Sequence, residues 1–174
     1  MFRKAKETDI SAVAAIYENI IAEEEARRAT TGWKRGIYPT AETAFSAFRR
    51  GELFLLEENG QILAAAIFNL TQCDAYRYGD WLYPAKAGEA FIMHTLVVDP
   101  AASGRGVGRR FVAFYEQCAR ERGISVLRMD TNEKNAVARG LYRKLGFREA
   151  GIVPCTFNGL ADVRLVLLEK RLSD

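Results

Sequence analysis

Apolar and polar positions along the chain follow two periods. Short runs rich in Val, Ile, Leu and Phe mark strands, and apolar residues spaced i, i+3, i+4 mark helices. Residues 2–5 read as a short first strand. Thr8 or Asp9 then caps a helix whose apolar positions, Ile10, Val13, Ala14, Tyr17 and Ile20-Ile21, keep helical spacing. It runs out in a charged stretch ending at Arg28, which reads as a solvated face. Residues 30–39 form a glycine-containing loop, and Thr40 caps a second helix that ends at Gly51. Strands at 53–56 and 62–68 flank Asn59-Gly60, a strong two-residue hairpin signal. Residues 70–88 are irregular and too long for a simple turn. A central strand over 89–98, a long helix ending near Arg122, a strand over 124–129 and a helix stopped by Gly146 follow. The chain closes with a hairpin, 147–153 against 163–170, around Asn158-Gly159.

The most informative stretch is residues 94–110, HTLVVDPAASGRGVGRR. Leu96-Val97-Val98 reads as a buried strand, and Asp99-Pro100 ends it. Gly104, Gly106 and Gly108 follow at alternate positions, and Val107, Phe111 and Cys118 then recur at helical spacing. Strand, glycine turn and helix place backbone N–H groups at a positive helix N-terminus, a ready site for phosphate or pyrophosphate. A P-loop would close the turn with Gly-Lys-Ser/Thr, and this one closes with Gly-Arg-Arg. A Rossmann fingerprint would read GxGxxG near the start of a βαβ unit; here the spacing is GxGxG, past mid-chain.

The stretch resembles the acetyl-CoA-binding motif of the GNAT superfamily (Gcn5-related N-acetyltransferases), Q/R-x-x-G-x-G/A after a strand, with Ser103 in the Gln/Arg position. A second segment, from Asn135 through Tyr142 and Lys144 to Gly146-Phe147, is similar to that family's N-x-x-A-x-x-x-Y-x-K-x-G-F. The element order, β-α-α-β-β-β-α-β-α-β-β, agrees with the resemblance. It implies one α/β (α+β) domain over residues 1–174, with a mixed central sheet of about seven strands and helices on both faces. The resemblance further implies acetyl-CoA as co-substrate and no metal. Backbone groups of Leu96, Val97 and Val98 would meet the pantetheine. Ser103, Gly104, Arg105, Gly106, Val107, Gly108 and Arg109 would hold the pyrophosphate, with Asn135 and Tyr142 completing the cofactor contacts.

Moving an acetyl group from a thioester to an amine requires a neutral amine, a stabilised oxyanion and a protonated leaving thiolate. Tyr142, at the motif tyrosine, is the candidate acid; the alternative is a tyrosine that packs its helix onto the sheet. For the base three residues stand open. His94, the one histidine, shares a face with Leu96 and Val98 by strand alternation. Glu89 lies at the start of the same strand, and Asp130 ends the next one, where it also suits an N-terminal cap of the following helix. Trp33, Tyr38, Tyr76, Tyr78, Trp81 and Tyr83 fall in the two irregular segments and are candidates for an acceptor wall.

Composition narrows the class. With 174 residues, 49% of them hydrophobic, the chain suits one domain with a real core. No apolar run reaches the ~18 residues that span a bilayer, and the N-terminus lacks the apolar core of a signal peptide. The 3 cysteines are widely spaced, which suits reduced thiols in the cytoplasm. A net charge of +3, spread among acids, does not argue for nucleic acid or a membrane surface. The final hairpin leaves an edge on which a second copy would pair, so a homodimer is an expectation. The function that follows is acetylation of a primary amine, of a small molecule in the first instance. The alternatives are a protein or peptide amine, or a binding module for acyl-CoA without turnover.

Overall fold

A computed structural model of the chain describes residues 1–27 and 29–173. Seven strands, β1 (Phe2–Lys4), β2 (Leu53–Glu58), β3 (Gln61–Asn69), β4 (Ala90–Val98), β5 (Val126–Asn132), β6 (Arg148–Phe157) and β7 (Leu160–Arg171), form one sheet in the order β1-β2-β3-β4-β5-β7-β6. Four helices accompany them: α1 (Ile10–Ala26), α2 (Ala41–Arg49), α3 (Val107–Glu121) and α4 (Ala136–Lys144). β4 and β5 run parallel, as the crossover through α3 requires, while the pairs β1/β2, β2/β3, β5/β7 and β6/β7 are antiparallel. The sheet is therefore mixed, as expected. The charged end of the first helix extends to Ala26, and Arg28 lies outside the described residues.

Both hairpins turn on the residues that signalled them. Asn59 and Gly60 take φ of 50° and 76°, and Asn158 and Gly159 take 49° and 80°. Positive φ at both central residues is the type I′ geometry that matches strand twist.

The chain separates into two compact units, and β4 and α3 each run from one into the other. The first comprises Met1–Ala29, Trp33–Phe68 and His94–Phe114. In it β2 alternates cleanly. Leu53 and Leu55 join Val13, Ile16 and Tyr17 of α1 and Ala44 and Ala47 of α2 in one core. Phe54, between them, faces an aromatic cluster with Phe68 (4.8 Å between ring centres), Phe2, Phe111 and Phe114. Helices cover both faces of this part of the sheet.

β4 does not alternate throughout. Phe91 stacks on Tyr115 of α3 at 5.2 Å, yet Val97, six residues on, packs into the α1/α2 core. A regular strand would put both on one face. The reversal falls at Thr95, whose φ is 51°. This corrects the reading of His94, because the alternation that joined it to Leu96 and Val98 is broken between them.

The second unit comprises Thr30–Gly32, Asn69–Met93 and Tyr115–Asp174. Its irregular segment, which contains a 3-10 turn at Asp74–Tyr78, is held by two buried charged side chains. Arg128 of β5 donates to Gln72 Oε1 (2.6 Å) and the Tyr83 carbonyl (2.9 Å), with its guanidinium 4.0 Å from the centre of the Trp81 ring. Glu169 of β7, with no exposed surface, accepts from the N–H groups of Leu82 (2.7 Å) and Tyr83 (3.2 Å) and from Arg148 (2.7 Å). The indole N–H of Trp81 closes the loop on the Tyr76 carbonyl at 2.7 Å. At the sheet edge, β6 carries Pro154 and two register shifts, which interrupt the row of backbone groups open to a second strand.

Glu169→Gln keeps the side-chain shape but removes the charge and one acceptor. It should lower stability by about 1–3 kcal/mol, read as the urea midpoint. Amide exchange at Leu82 and Tyr83 should quicken; unchanged exchange there would show that the loop is held by something else.

Candidate active site

The glycine turn in the first unit is built by its own backbone. β4 ends at Val98, where the Asp99 N–H donates to the Leu63 carbonyl (2.8 Å) and the Asp99 carboxylate accepts from the Ala101 N–H (2.9 Å). A 3-10 turn over Pro100–Ala102 leads to Gly104 and Gly106, with φ of 76° and 70°, and α3 starts at Val107. A Cβ at either glycine would meet no atom within 4 Å, so the space before the helix N-terminus is open. The first N–H groups of a helix lack intrahelical partners, and here they face that space with the positive end of a 15-residue helix. Such a turn can bind an anion.

Its side chains are arranged less freely than the sequence suggested. Arg105 and Arg110 both pair with Glu58 of β2, at 2.9 and 2.6 Å. Arg110 first, then Arg105, holds the Glu58 carboxyl below its usual range. Arg109 and Ser103 are exposed, Val107 and Val97 are buried, and Leu96 and Val98 are half-buried. Glu58 went unnoticed in the sequence, since nothing near it in the chain points to residues 47 positions away.

The second unit gathers a carboxylate, two phenols and two thiols. Asp130 Oδ2 accepts the Tyr76 hydroxyl at 2.9 Å. Burial pushes the Asp130 carboxyl up to about 6, against the lowering effect of that bond. Tyr142, on α4, is 6% exposed, with its ring 6.1 Å from that of Phe147. Burial, and then the charge of Asp130, raises its phenol well above the ordinary value, so it holds its proton. Among the described residues, the Tyr142 hydroxyl makes no hydrogen bond. Cys73 is pushed up to about 12 by burial and then by Asp130, and Cys155 is raised by the same two causes in the same order. Asp130 thus stands among groups that keep their protons at neutral pH.

The helix-cap reading of Asp130 is overturned. α4 starts at Ala136, and its cap is Asn135, whose Oδ1 accepts from the Ala138 N–H at 3.0 Å. The cap function expected as the alternative for Asn135 is therefore in place. Glu89 is exposed and closes a local turn by accepting from the Lys86 N–H (2.8 Å). It precedes the Ala90↔Val126 rung, whereas Asp130 follows the Met93↔Met129 rung, so the two carboxylates lie at opposite ends of that ladder. His94 is half-buried in β4 beside Thr95, whose hydroxyl pairs with that of Tyr38. Of the aromatics, Tyr76 and Trp81 line a cavity of about 870 Å³ with Lys86, Glu89 and Arg128, while Tyr78 is 69% exposed.

Comparison with known proteins bears on this arrangement. The ribosomal protein bS18-alanine N-acetyltransferase of Escherichia coli K12 is 28% identical over 118 residues, 66% of this chain and 68% of that protein. The L-methionine sulfoximine/L-methionine sulfone acetyltransferase of Pseudomonas paraeruginosa is 31% identical over 77 residues, 44% of each chain. A 39% identical match to an uncharacterized protein of Mycobacterium leprae takes in 36% of this chain and 16% of that protein. A Salmonella typhimurium protein described as a putative acetyltransferase, solved with its cofactor acetyl-CoA, superposes with a TM-score of 0.71 at 20% identity, covering 100% of this chain and 94% of that one. That likeness shows the fold. The family model described as Acetyltransferase (GNAT) family matches residues 18–147, well over half of the sequence, and the chain belongs to that family.

Proposed function

We propose that the protein transfers the acetyl group of acetyl-CoA to the primary amine of a small molecule. The observation that carries the reading is Tyr142: the residue is 6% exposed, burial keeps its phenol protonated, and its hydroxyl has no hydrogen-bond partner among the described residues. A phenol in that state is ready to donate its proton to a leaving thiolate. The open glycine turn supports the cofactor half, with Ser103 to Arg109 taking the pyrophosphate through backbone N–H groups. Backbone groups at Leu96 to Val98 would meet the pantetheine. The Asn135 carbonyl oxygen is spent on the cap, which leaves its amide N–H₂ for a ligand.

Of the three candidate bases, the geometry weakens His94 and Glu89. His94 loses the shared face that recommended it, and the Glu89 carboxylate is engaged in a turn. His94→Ala and Glu89→Gln remain direct tests.

The choice of a small acceptor rests on two features. The segment 70–88 is fixed by Arg128 and Glu169, which suits a formed wall around a compact ligand. The β6 edge, broken by Pro154 and two bulges, is a poor template for an added peptide strand. A peptide amine is the second reading, favoured by the relative named for acetylating a ribosomal protein. Thiol release from acetyl-CoA over a panel of small amines and N-terminal peptides separates the two.

Acetyl-CoA should bind in calorimetry, and Gly106→Val should abolish that binding. Its side chain would enter the space of the phosphate oxygens, at a φ that costs a non-glycine residue about 1–2 kcal/mol. Unchanged affinity would remove the turn from the cofactor site. Tyr142→Phe should lower turnover on the order of 10²-fold with acetyl-CoA affinity nearly intact. Wild-type turnover in that variant would return Tyr142 to a packing role.

A further inference from the structure

Arg128 is a buried cation held by neutral groups. It is 3% exposed, and its bonds run to the Gln72 amide oxygen (2.6 Å) and the Tyr83 carbonyl (2.9 Å), with the guanidinium over the Trp81 ring. Its Nε is out of solvent and has no partner among the described residues. The nearest carboxylate by register is Glu169, directly across the β5/β7 ladder. Both of its oxygens are committed elsewhere, Oε1 to the Leu82 N–H and Arg148, and Oε2 to the Tyr83 N–H. Burial still pulls the Arg128 guanidinium below its ordinary value, against the opposing influence of Glu169 and then Tyr76. A charge withdrawn from water without a hydrogen-bonded counterion costs stability. Arg128 also lines the cavity of about 870 Å³ in the second unit, and so does Gln72. Gln72 is half-buried, so its amide oxygen is a neutral acceptor that a ligand entering from that cavity can displace.

We propose that this cavity is a binding site for a small monocarboxylate, whose anion takes the place of the Gln72 oxygen on Arg128. A guanidinium presents a planar fork that a carboxylate matches with two parallel bonds, each about twice as strong as a bond to a neutral acceptor. The lining selects the rest of the ligand. Trp81, Pro84 and Ala85 offer apolar surface to a short hydrocarbon body. The outer charges already balance: Asp74 pairs with Arg77 and Asp80 with Arg148, while Glu89 and Lys86 offset each other on the lining. Arg128 therefore leaves a single positive charge to be met, which suits a monoanion. A phosphate dianion would bring excess negative charge beside those acids. Occupancy is felt along the segment 70–88, because Trp81 donates its indole N–H to the Tyr76 carbonyl at 2.7 Å. Every residue of the site belongs to the second unit, and binding there requires no acetyl-CoA.

The probe is butyrate, with butyramide as its uncharged counterpart, and the readout is the indole N–H resonance of Trp81 in the full chain. Trp33, the other of the 2 tryptophans, is the internal reference. At constant ionic strength butyrate should move the Trp81 resonance saturably and leave that of Trp33 in place, while butyramide and chloride should move neither. Gln72→Glu sets a carboxylate of the chain's own on Arg128 and should abolish the response. Gln72→Ala removes the competing acceptor and should tighten butyrate by about fivefold, the strength of one neutral hydrogen bond. Arg128→Gln should also lose the response, but it releases Gln72 and Tyr83 as well, so the two Gln72 variants decide. If the contacts of Arg128 are purely structural, butyrate leaves Trp81 unmoved in the wild type and in Gln72→Ala, and the proposal falls. A Trp81 shift that butyramide reproduces, or one that persists undiminished in Gln72→Glu, overturns it too. An equal response to phosphate would overturn the assignment to a monocarboxylate. None of these outcomes depends on turnover, so they stand apart from the fate of the acetyltransferase reading.

Discussion

Burying a charged side chain obliges the surrounding chain to satisfy it, and much of the second unit follows from that constraint. Arg128 and Glu169 project from neighbouring strands, and both are almost or wholly out of solvent. Between them they engage Gln72, Trp81, Leu82 and Tyr83. A segment without a hydrophobic period of its own is thereby given one conformation. Tyr76 lies inside that segment, and its hydroxyl reaches Asp130. The Tyr76 arm of the cluster is thus positioned by buried charges on β5 and β7. One guanidinium nitrogen, Nε of Arg128, is left buried without a partner among the described residues, a cost the arrangement carries in exchange for the others.

What was legible in the sequence shares a physical cause: it depended on residues close together in the chain. The Asn-Gly hairpins require positive φ at two adjacent positions, and few residues supply it. The turn at Gly104 and Gly106 and the helix after it are equally local. The elements that escaped are long-range. The bond from Arg128 to Gln72 spans 56 positions and that from Leu82 to Glu169 spans 87, so neither leaves a trace in a window of ten or fifteen residues. Thr95 is an ordinary strand residue by composition, and nothing beside it announces a left-handed φ. Asp130 was open to misreading for a related reason. Its carboxylate, Thr131 and Asn132 resemble the start of a helix, and only the position of Asn135 shows that the cap comes later.

The turn and its arginines separate two contributions that sequence reading combines. Three arginines near a phosphate-binding loop suggest binding by charge. In the structure two of them already face Glu58, and these pairs are partly exposed, with Arg105 53% and Arg110 44% open. Exposed pairs contribute little and weaken with salt. What remains specific to the loop is backbone: two glycines at positive φ, open space where side chains would stand, and the first turn of a long helix. Anion binding by such a backbone would not depend on the side chain at Ser103, because the donors are main-chain N–H groups.

The cluster in the second unit places two neighbouring acids in one desolvating environment. Desolvation raises the pKa of any acid, carboxylic or phenolic. Applied to Tyr142, it moves an already high value further from neutrality and secures the proton. Applied to Asp130, it moves a low value towards neutrality, up to about 6. The Tyr76 bond limits that rise, so Asp130 stays largely ionised at pH 7. Its negative charge in turn strengthens the hold of Tyr142 on its proton. The same burial therefore acts in opposite senses on two neighbouring acids, bringing the carboxyl towards neutrality and taking the phenol further from it.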